Sequence, residues 1–314
     1  MATFLHHLSL ASPLFVLVAI GYSLMRWGQW PQSVADALTR FVFSVALPAM
    51  LFHLMSDLSR LPPVDTRLLV AFFGGCLVVF VIGRVVGHLM FRLDGVAQSV
   101  FALGGVFSNN VLLGLPLAKA ILGDAALPSV ALVLVFNALT LWTLVTVSVE
   151  WARHGEFSMA GFAKTARGVI TNPIVASIVA GSLFGLSGFK LPVLIEAPLA
   201  MTGMAAAPMS LIALGMGLAE YGIRAGWRQS IAICVLKLIV QPLTVWLIAR
   251  MLGLPLLETQ VVVLLASLAV GVNVYLMSRQ FRTMEGPIAA SLVISTALAA
   301  LTTPLLLTLI GARG

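Results

Sequence analysis

Ten apolar runs alternate with short polar stretches along the 314-residue chain, at roughly 8–25, 36–56, 68–91, 96–122, 128–150, 168–186, 195–219, 229–252, 257–280 and 287–310. A helix needs about 20 apolar residues to cross ~30 Å of hydrocarbon, so each run predicts one transmembrane helix and the whole predicts an all-α membrane protein. The connections are short except for Trp151 to Arg167, the longest polar stretch, which lies near the middle. It divides the chain into a first five-helix unit (1–151), a linker (152–167) and a second five-helix unit (168–314).

Two of the runs carry residues that interrupt a helix. Phe107 to Ala120 contains Asn109, Asn110, Gly114 and Pro116, and Ala266 to Gln280 contains Gly271 and Asn273. Lipid cannot hydrogen-bond a freed amide or carbonyl, so such breaks persist at membrane depth only where protein or a water-filled cavity satisfies them. Interruptions at corresponding positions of two halves are the sequence mark of a carrier's binding site.

Residue numbers test whether the two halves are one motif repeated. Pro13 and Pro173, Gly21 and Gly181, and Pro48 and Pro208 each differ by 160; Pro128 and Pro287 differ by 159, and Asn110 and Asn273 by 163. One or two loop insertions produce a drift of that size. Five helices is an odd number, so the second unit enters the membrane upside down, which predicts two inverted repeats with helices four and nine crossing at their breaks.

The second half of each broken helix then begins at mid-membrane, with free N–H groups and the positive end of its dipole aimed at the centre. Two such ends from opposite directions predict an anion site. Asn109 or Asn110 would cap the half-helix after the first break and Asn273 the one after the second, their NH2 groups still free for a ligand. Gly114 and Gly271 would let the backbones cross closely. The bland alternative makes Asn110 and Asn273 hydrogen-bonding glue in a continuous bundle. Pro48 and Pro208 either kink their helices or shape the cavity wall. Ser44, Asn137 and Thr140 are polar residues at span depth that could line it.

Composition removes other classes. The chain is 60% hydrophobic and 9% charged, with a mean hydropathy of +1.08, so the +7 net charge does not mark a nucleic-acid surface. Its basic residues fall mostly in the short loops, where they set orientation. With the N-terminus outside, the inner loops hold Arg26, Arg92, Arg153, Lys164, Arg167, Arg224, Arg228, Arg279 and Arg282. The outer side holds Arg60, Arg67, Lys119, Lys190, Arg250 and Arg313, so the bias places both termini outside and the linker in the cytoplasm. The first run lacks a basic leader and reads as an uncleaved helix. Cys76 and Cys234 lie in apolar runs, with neither disulfide nor metal spacing. No serine–histidine or paired-aspartate arrangement suits an intramembrane hydrolase, and no acidic residue lies near either break. Lys237 alone is strongly charged well inside a span; it either holds charge for substrate or proton, or snorkels to the cytoplasmic interface. His53 would sense pH or sit at the surface.

The tract SNNVLLGLPLAKAILGD, from Ser108 to Asp124, resembles the fourth-helix signature of the auxin efflux carrier family, in which an asparagine is followed by Gly-x-Pro-Leu. GVNVYLMSRQF, from Gly271 to Phe281, is similar to bacterial members described as malonate or malate transporters. The resemblance spans the chain and implies an elevator-type carrier. Helices one, two, six and seven would form the scaffold, also the surface for a homodimer, and the other six would carry a small carboxylate at the crossover. Asn109 matches the family's crossover asparagine, and Gly114 and Pro116 its Gly-x-Pro. Plant members place a proline at each crossover where this chain has Ser108 and Ala269. The short central loop fits a bacterial inner membrane. The expected function is transport of a dicarboxylate such as malonate with proton or sodium coupling and no cofactor; the alternative is export of a weak-acid anion driven by the membrane potential.

Overall fold

The computed structural model describes residues 2–56, 64–154, 171, 173–219 and 226–311, and over these it is helical with no named β-strand. The linker beyond residue 154 and the charges at Arg60, Lys164, Arg167, Arg224 and Arg313 lie outside the described residues. Twelve helices follow in order: α1 (Ala2–Arg26), α2 (Gln32–Met55), α3 (Arg67–Phe91), α4 (Gly95–Gly104), α5 (Asn110–Leu122) and α6 (Leu127–His154), then α7 (Pro173–Leu186), α8 (Val193–Leu218), α9 (Trp227–Met251), α10 (Leu256–Ser267), α11 (Val272–Phe281) and α12 (Glu285–Gly311).

Among the described residues, six helices are long and apolar enough to cross a membrane: α1, α2, α3, α8, α9 and α12. The runs at 96–122 and 257–280 are each broken, into α4 with α5 and α10 with α11, and no piece spans alone. Local chemistry sets several of the ends. Asp94 caps α4 by accepting from the amides of Val96 and Ala97, 3.0 and 2.9 Å away, and Pro31, Pro192 and Pro255 precede the first turns of α2, α8 and α10.

Prolines also explain three wide turns. A π turn precedes Pro48 in α2 (Val42–Ala46), Pro116 in α5 (Asn110–Gly114) and Pro242 in α9 (Leu236–Val240). Proline has no N–H and its ring pushes away the carbonyl four residues back, so bonds five residues apart take over. At Pro116 that carbonyl belongs to Leu112, and it accepts instead from the Ser210 hydroxyl of α8 at 3.2 Å.

Packing falls into two groups. The helices α1, α2, α7 and α8 lie mainly against one another, while α3, α4, α9, α10 and α12 form a second set, which α6 joins through α4. Within the first group the chains approach to backbone contact. A Cβ on Gly21 would stand 2.1 Å from the carbonyl oxygen of Ile212, and one on Gly181 2.7 Å from that of Phe52. The two contacts are related by one shift, since 181 less 21 and 212 less 52 are both 160.

The outer faces are apolar. Leu77, Val81, Val85 and Leu89 make an exposed stripe along α3, and Ile231, Val235, Ile239, Leu243, Leu247 and Met251 another along α9, each at helical spacing. In water such stripes would be a liability; against lipid they cost nothing. Ion pairs sit at helix ends, with Arg67 on Asp65 and Lys119 on Asp124. Arg67 holds the Asp65 carboxyl below its ordinary range through that hydrogen-bonded pair. His53 lies 3.8 Å from Glu196, again at helix ends.

Candidate functional site

The backbone between α4 and α5 meets the backbone between α10 and α11 in an antiparallel bridge centred on Ser108 and Val270. The Asn109 amide donates to the Ala269 carbonyl at 3.0 Å, and the Gly271 amide to the Phe107 carbonyl at 2.7 Å. These bonds are reciprocal: 269 less 107 and 271 less 109 are both 162. Each interrupted stretch thus satisfies one backbone amide and one carbonyl of the other.

Asn109 and Gly271 stand at equivalent places, each immediately before its half-helix. That register corrects the pairing of Asn110 with Asn273 read from residue numbers, because the bridge matches Asn110 to Val272 and Val111 to Asn273. Ser108 itself pairs with Val270 in the bridge. The capping expectation is corrected too. Asn109 makes no side-chain cap bond, and Asn273 is the second residue of α11, half-buried, behind Gly271 at the cap. Gly271 is extended there, and a Cβ would press within 3.0 Å of both Phe107 and the Ser108 carbonyl. A Cβ on Gly114 would stand 2.7 Å from Leu268 Cδ1, so a methyl there would have to displace a side chain.

Three buried polar atoms at the first break lack a partner: Ser108 Oγ, Asn109 Nδ2 and Asn110 Oδ1. The residues are 1%, 6% and 1% exposed. Burying such atoms unpaired costs about 1–3 kcal/mol each, and a native chain that does so calls for an explanation. Asn110 spends its NH2 on Asn137 Oδ1 at 3.3 Å, which brings Asn137 into the cluster. Geometry adds backbone donors, since the first-turn amides of Val111 and Leu112 and of Val272 and Asn273 have no acceptor within their own helices. The set offers an amide NH2, a hydroxyl and two helix starts to an anion, and one carbonyl oxygen to a hydroxyl or protonated group.

Other expected site residues are placed differently. Pro208 is half-buried in α8, two residues before Ser210, which bonds Leu112 at the crossover. Pro48 follows the π turn of α2, and that turn packs against α8. Ser44 is exposed and donates to the Arg40 carbonyl, so it is not gathered at the crossover. Thr140 lines an apolar groove of about 580 Å³ between α3 and α6 with Phe73, Leu77, Thr143 and Val147. That groove is the wrong chemistry for an anion, and the crossover is the more polar place.

Lys237 does not snorkel. It is fully buried in α9, and its ammonium donates at 2.5 Å to the carbonyl of Ala266 in the last turn of α10. Gln241, one turn on, donates at 2.8 Å to the carbonyl of Val106 just past α4.

Residues 8–307 match the family described as membrane transport protein. The chain belongs to the auxin efflux carrier family of membrane transport proteins. It is 28% identical over 304 residues to a Rhizobium meliloti protein named "Putative malonate transporter", covering 96% of this chain and 95% of that one. It is also 23% identical over 288 residues to an uncharacterised transporter of Methanocaldococcus jannaschii, covering 90% and 91%.

In this auxin efflux carrier family member, sequence reading passed over several supports of the crossover. Ser295 of α12 accepts from the Val270 amide at 3.0 Å, and Thr303 donates to the Ser267 carbonyl at 3.1 Å. Single serines and threonines in apolar helices carry no mark of such a task. Gln241 did carry a signal, as a polar residue one turn from Lys237 and directly before a proline.

Proposed function

We propose that the chain is a secondary carrier of small carboxylate anions, with a malonate-like dicarboxylate as the leading substrate. The reciprocal bridge between the two breaks carries this reading, because it brings two helix starts and the unpartnered Ser108, Asn109 and Asn110 atoms into one buried place. A carboxylate there would take hydrogen bonds from Asn109 and Ser108 and from the first-turn amides, in the field of both dipoles. The name of the Rhizobium meliloti relative supports malonate as the first anion to try.

Alternating access follows the same logic. The matched contacts of Gly21 and Gly181, and the matched bonds across the crossover, support two inverted repeats over 1–151 and 168–314. The packing of α1, α2, α7 and α8 mainly on one another supports a scaffold past which the crossover-bearing helices move as an elevator. We place the protein in a bacterial inner membrane with both termini outside.

Thermal stabilisation of the purified protein against a panel of mono- and dicarboxylates tests the reading, since a ligand that binds only the folded state raises apparent stability. Malonate is expected to raise the melting temperature of the wild type and not of Asn109→Ala. A shift with aromatic or monocarboxylic acids alone would favour a weak-acid exporter, and no shift with any anion would sink the carboxylate reading.

A further inference from the structure

The α9 helix turns one face to lipid and the opposite one to both breaks. Its exposed stripe runs through Ile231, Val235, Ile239, Leu243 and Leu247, whereas Lys237 and Gln241, four residues apart, are 0% exposed. Lys237 lies within the π turn and Gln241 directly after it, at the place where Pro242 disturbs the helix. Each of the two caps a different broken helix. The Lys237 ammonium takes the Ala266 carbonyl at the end of α10, and the Gln241 NH2 takes the Val106 carbonyl beyond the end of α4.

These are the carbonyl ends of the two first half-helices, opposite in sign to the amide ends assigned to the anion. A helix C-terminus carries roughly half a negative charge. In carriers with discontinuous helices, unwound carbonyls and half-helix C-termini are where the coupling cation is held. Here a covalently attached cation already occupies one such end. Gln241 Oε1 is buried and without a partner.

We propose that the Lys237 ammonium, flanked by Gln241, replaces an exchangeable coupling cation at the crossover, so that substrate binding by this carrier requires no sodium. The inference rests on the crossover being the transport site, and it makes Lys237 a positioning residue that holds α10 in register for the anion without touching it. A fixed charge cannot be released on one side and rebound on the other, so neither a sodium gradient nor sodium concentration enters the binding step.

The test compares melting temperatures of the wild type, Lys237→Ala and Lys237→Met in sodium, propylammonium and choline chlorides at equal ionic strength, then malonate uptake in vesicles. Wild type is expected to melt alike in all three salts. Lys237→Ala is expected to melt lower and to regain at least half of the loss in propylammonium, which restores the missing atoms, and none in choline. Lys237→Met fills the space without charge, so it should ignore all three salts and lose roughly ten- to hundredfold in uptake, the equivalent of one charge-assisted hydrogen bond. Stabilisation of the wild type by sodium, sodium-dependent uptake, or a Lys237→Met carrier of normal activity would each overturn the proposal. Should Lys237→Ala not fold, wild type and Lys237→Met still decide it. If no carboxylate acts on the wild type, the carboxylate reading falls, while the salt series continues to read the ammonium.

Discussion

The two breaks are paired through the backbone but equipped differently. The first, between α4 and α5, bears Ser108, Asn109 and Asn110 and leaves three of their polar atoms without partners. The second, between α10 and α11, is Leu268, Ala269, Val270 and Gly271, with no polar side chain at all. What the second lacks in side chains it gains in backbone restraint: Ala266 is held by Lys237, Ser267 by Thr303, Val270 by Ser295 and Gly271 by Phe107. On the proposed carrier reading the two breaks do not share the work equally: the first would keep its hydrogen-bonding capacity for the anion, and the second would fix the backbone against which that capacity is aimed.

Substitution separates these tasks. Asn109→Ala should have the largest effect on binding, weakening the carboxylate that stabilises wild type by roughly ten- to hundredfold. Its unliganded melting temperature should be unchanged or higher, because a buried unpaired NH2 is removed. Asn273→Ala, on a half-buried residue already inside α11, should cost less. Equal losses in the two variants, measured by titration calorimetry, would break the asymmetry. Gly271→Ala should act oppositely, by crowding the Ser108 carbonyl; a loss of about 1–3 kcal/mol in stability is expected, with binding impaired as a consequence. A variant of wild-type stability would mean that the second break yields more easily than its hydrogen bonds imply.

The membrane character and the places of the breaks were legible because both depend on residue type: a long apolar run predicts a span, and asparagine, glycine and proline within it predict an interruption. Register was not legible to the last residue. Asn110 and Asn273 share a residue type, and type is a poor guide when a one-residue shift separates helix cap from helix interior. The direction of Lys237 was hidden for another reason. In a helix apolar on nearly every side the period does not say which face meets lipid, and the burial of Lys237 itself, with Gln241 one turn away, resolves it. Ser295 and Thr303 act through single hydrogen bonds to a distant backbone, which no local pattern encodes.

Smaller substitutions sharpen the comparison. Ser295→Ala removes the acceptor for the Val270 amide and should cost about 0.6–1.7 kcal/mol, the span measured for hydrogen bonds between membrane helices. Because Val270 faces Ser108 across the bridge, some of that loss should appear as weaker binding, and chemical denaturation read alongside ligand titration would apportion it.

Asn137→Ala should have the smallest effect. Its side-chain oxygen accepts from Asn110 at 3.3 Å, a long bond, and losing it should change stability by about 0.6 kcal/mol. The freed Asn110 NH2 would then join its own oxygen among the polar groups at the first break, where a bound carboxylate could use it as a further donor. Affinity should therefore move by less than about threefold, in either direction. A tenfold loss would instead make Asn137 part of the ligand's own contact set, and the boundary of the site would have to be drawn to include α6.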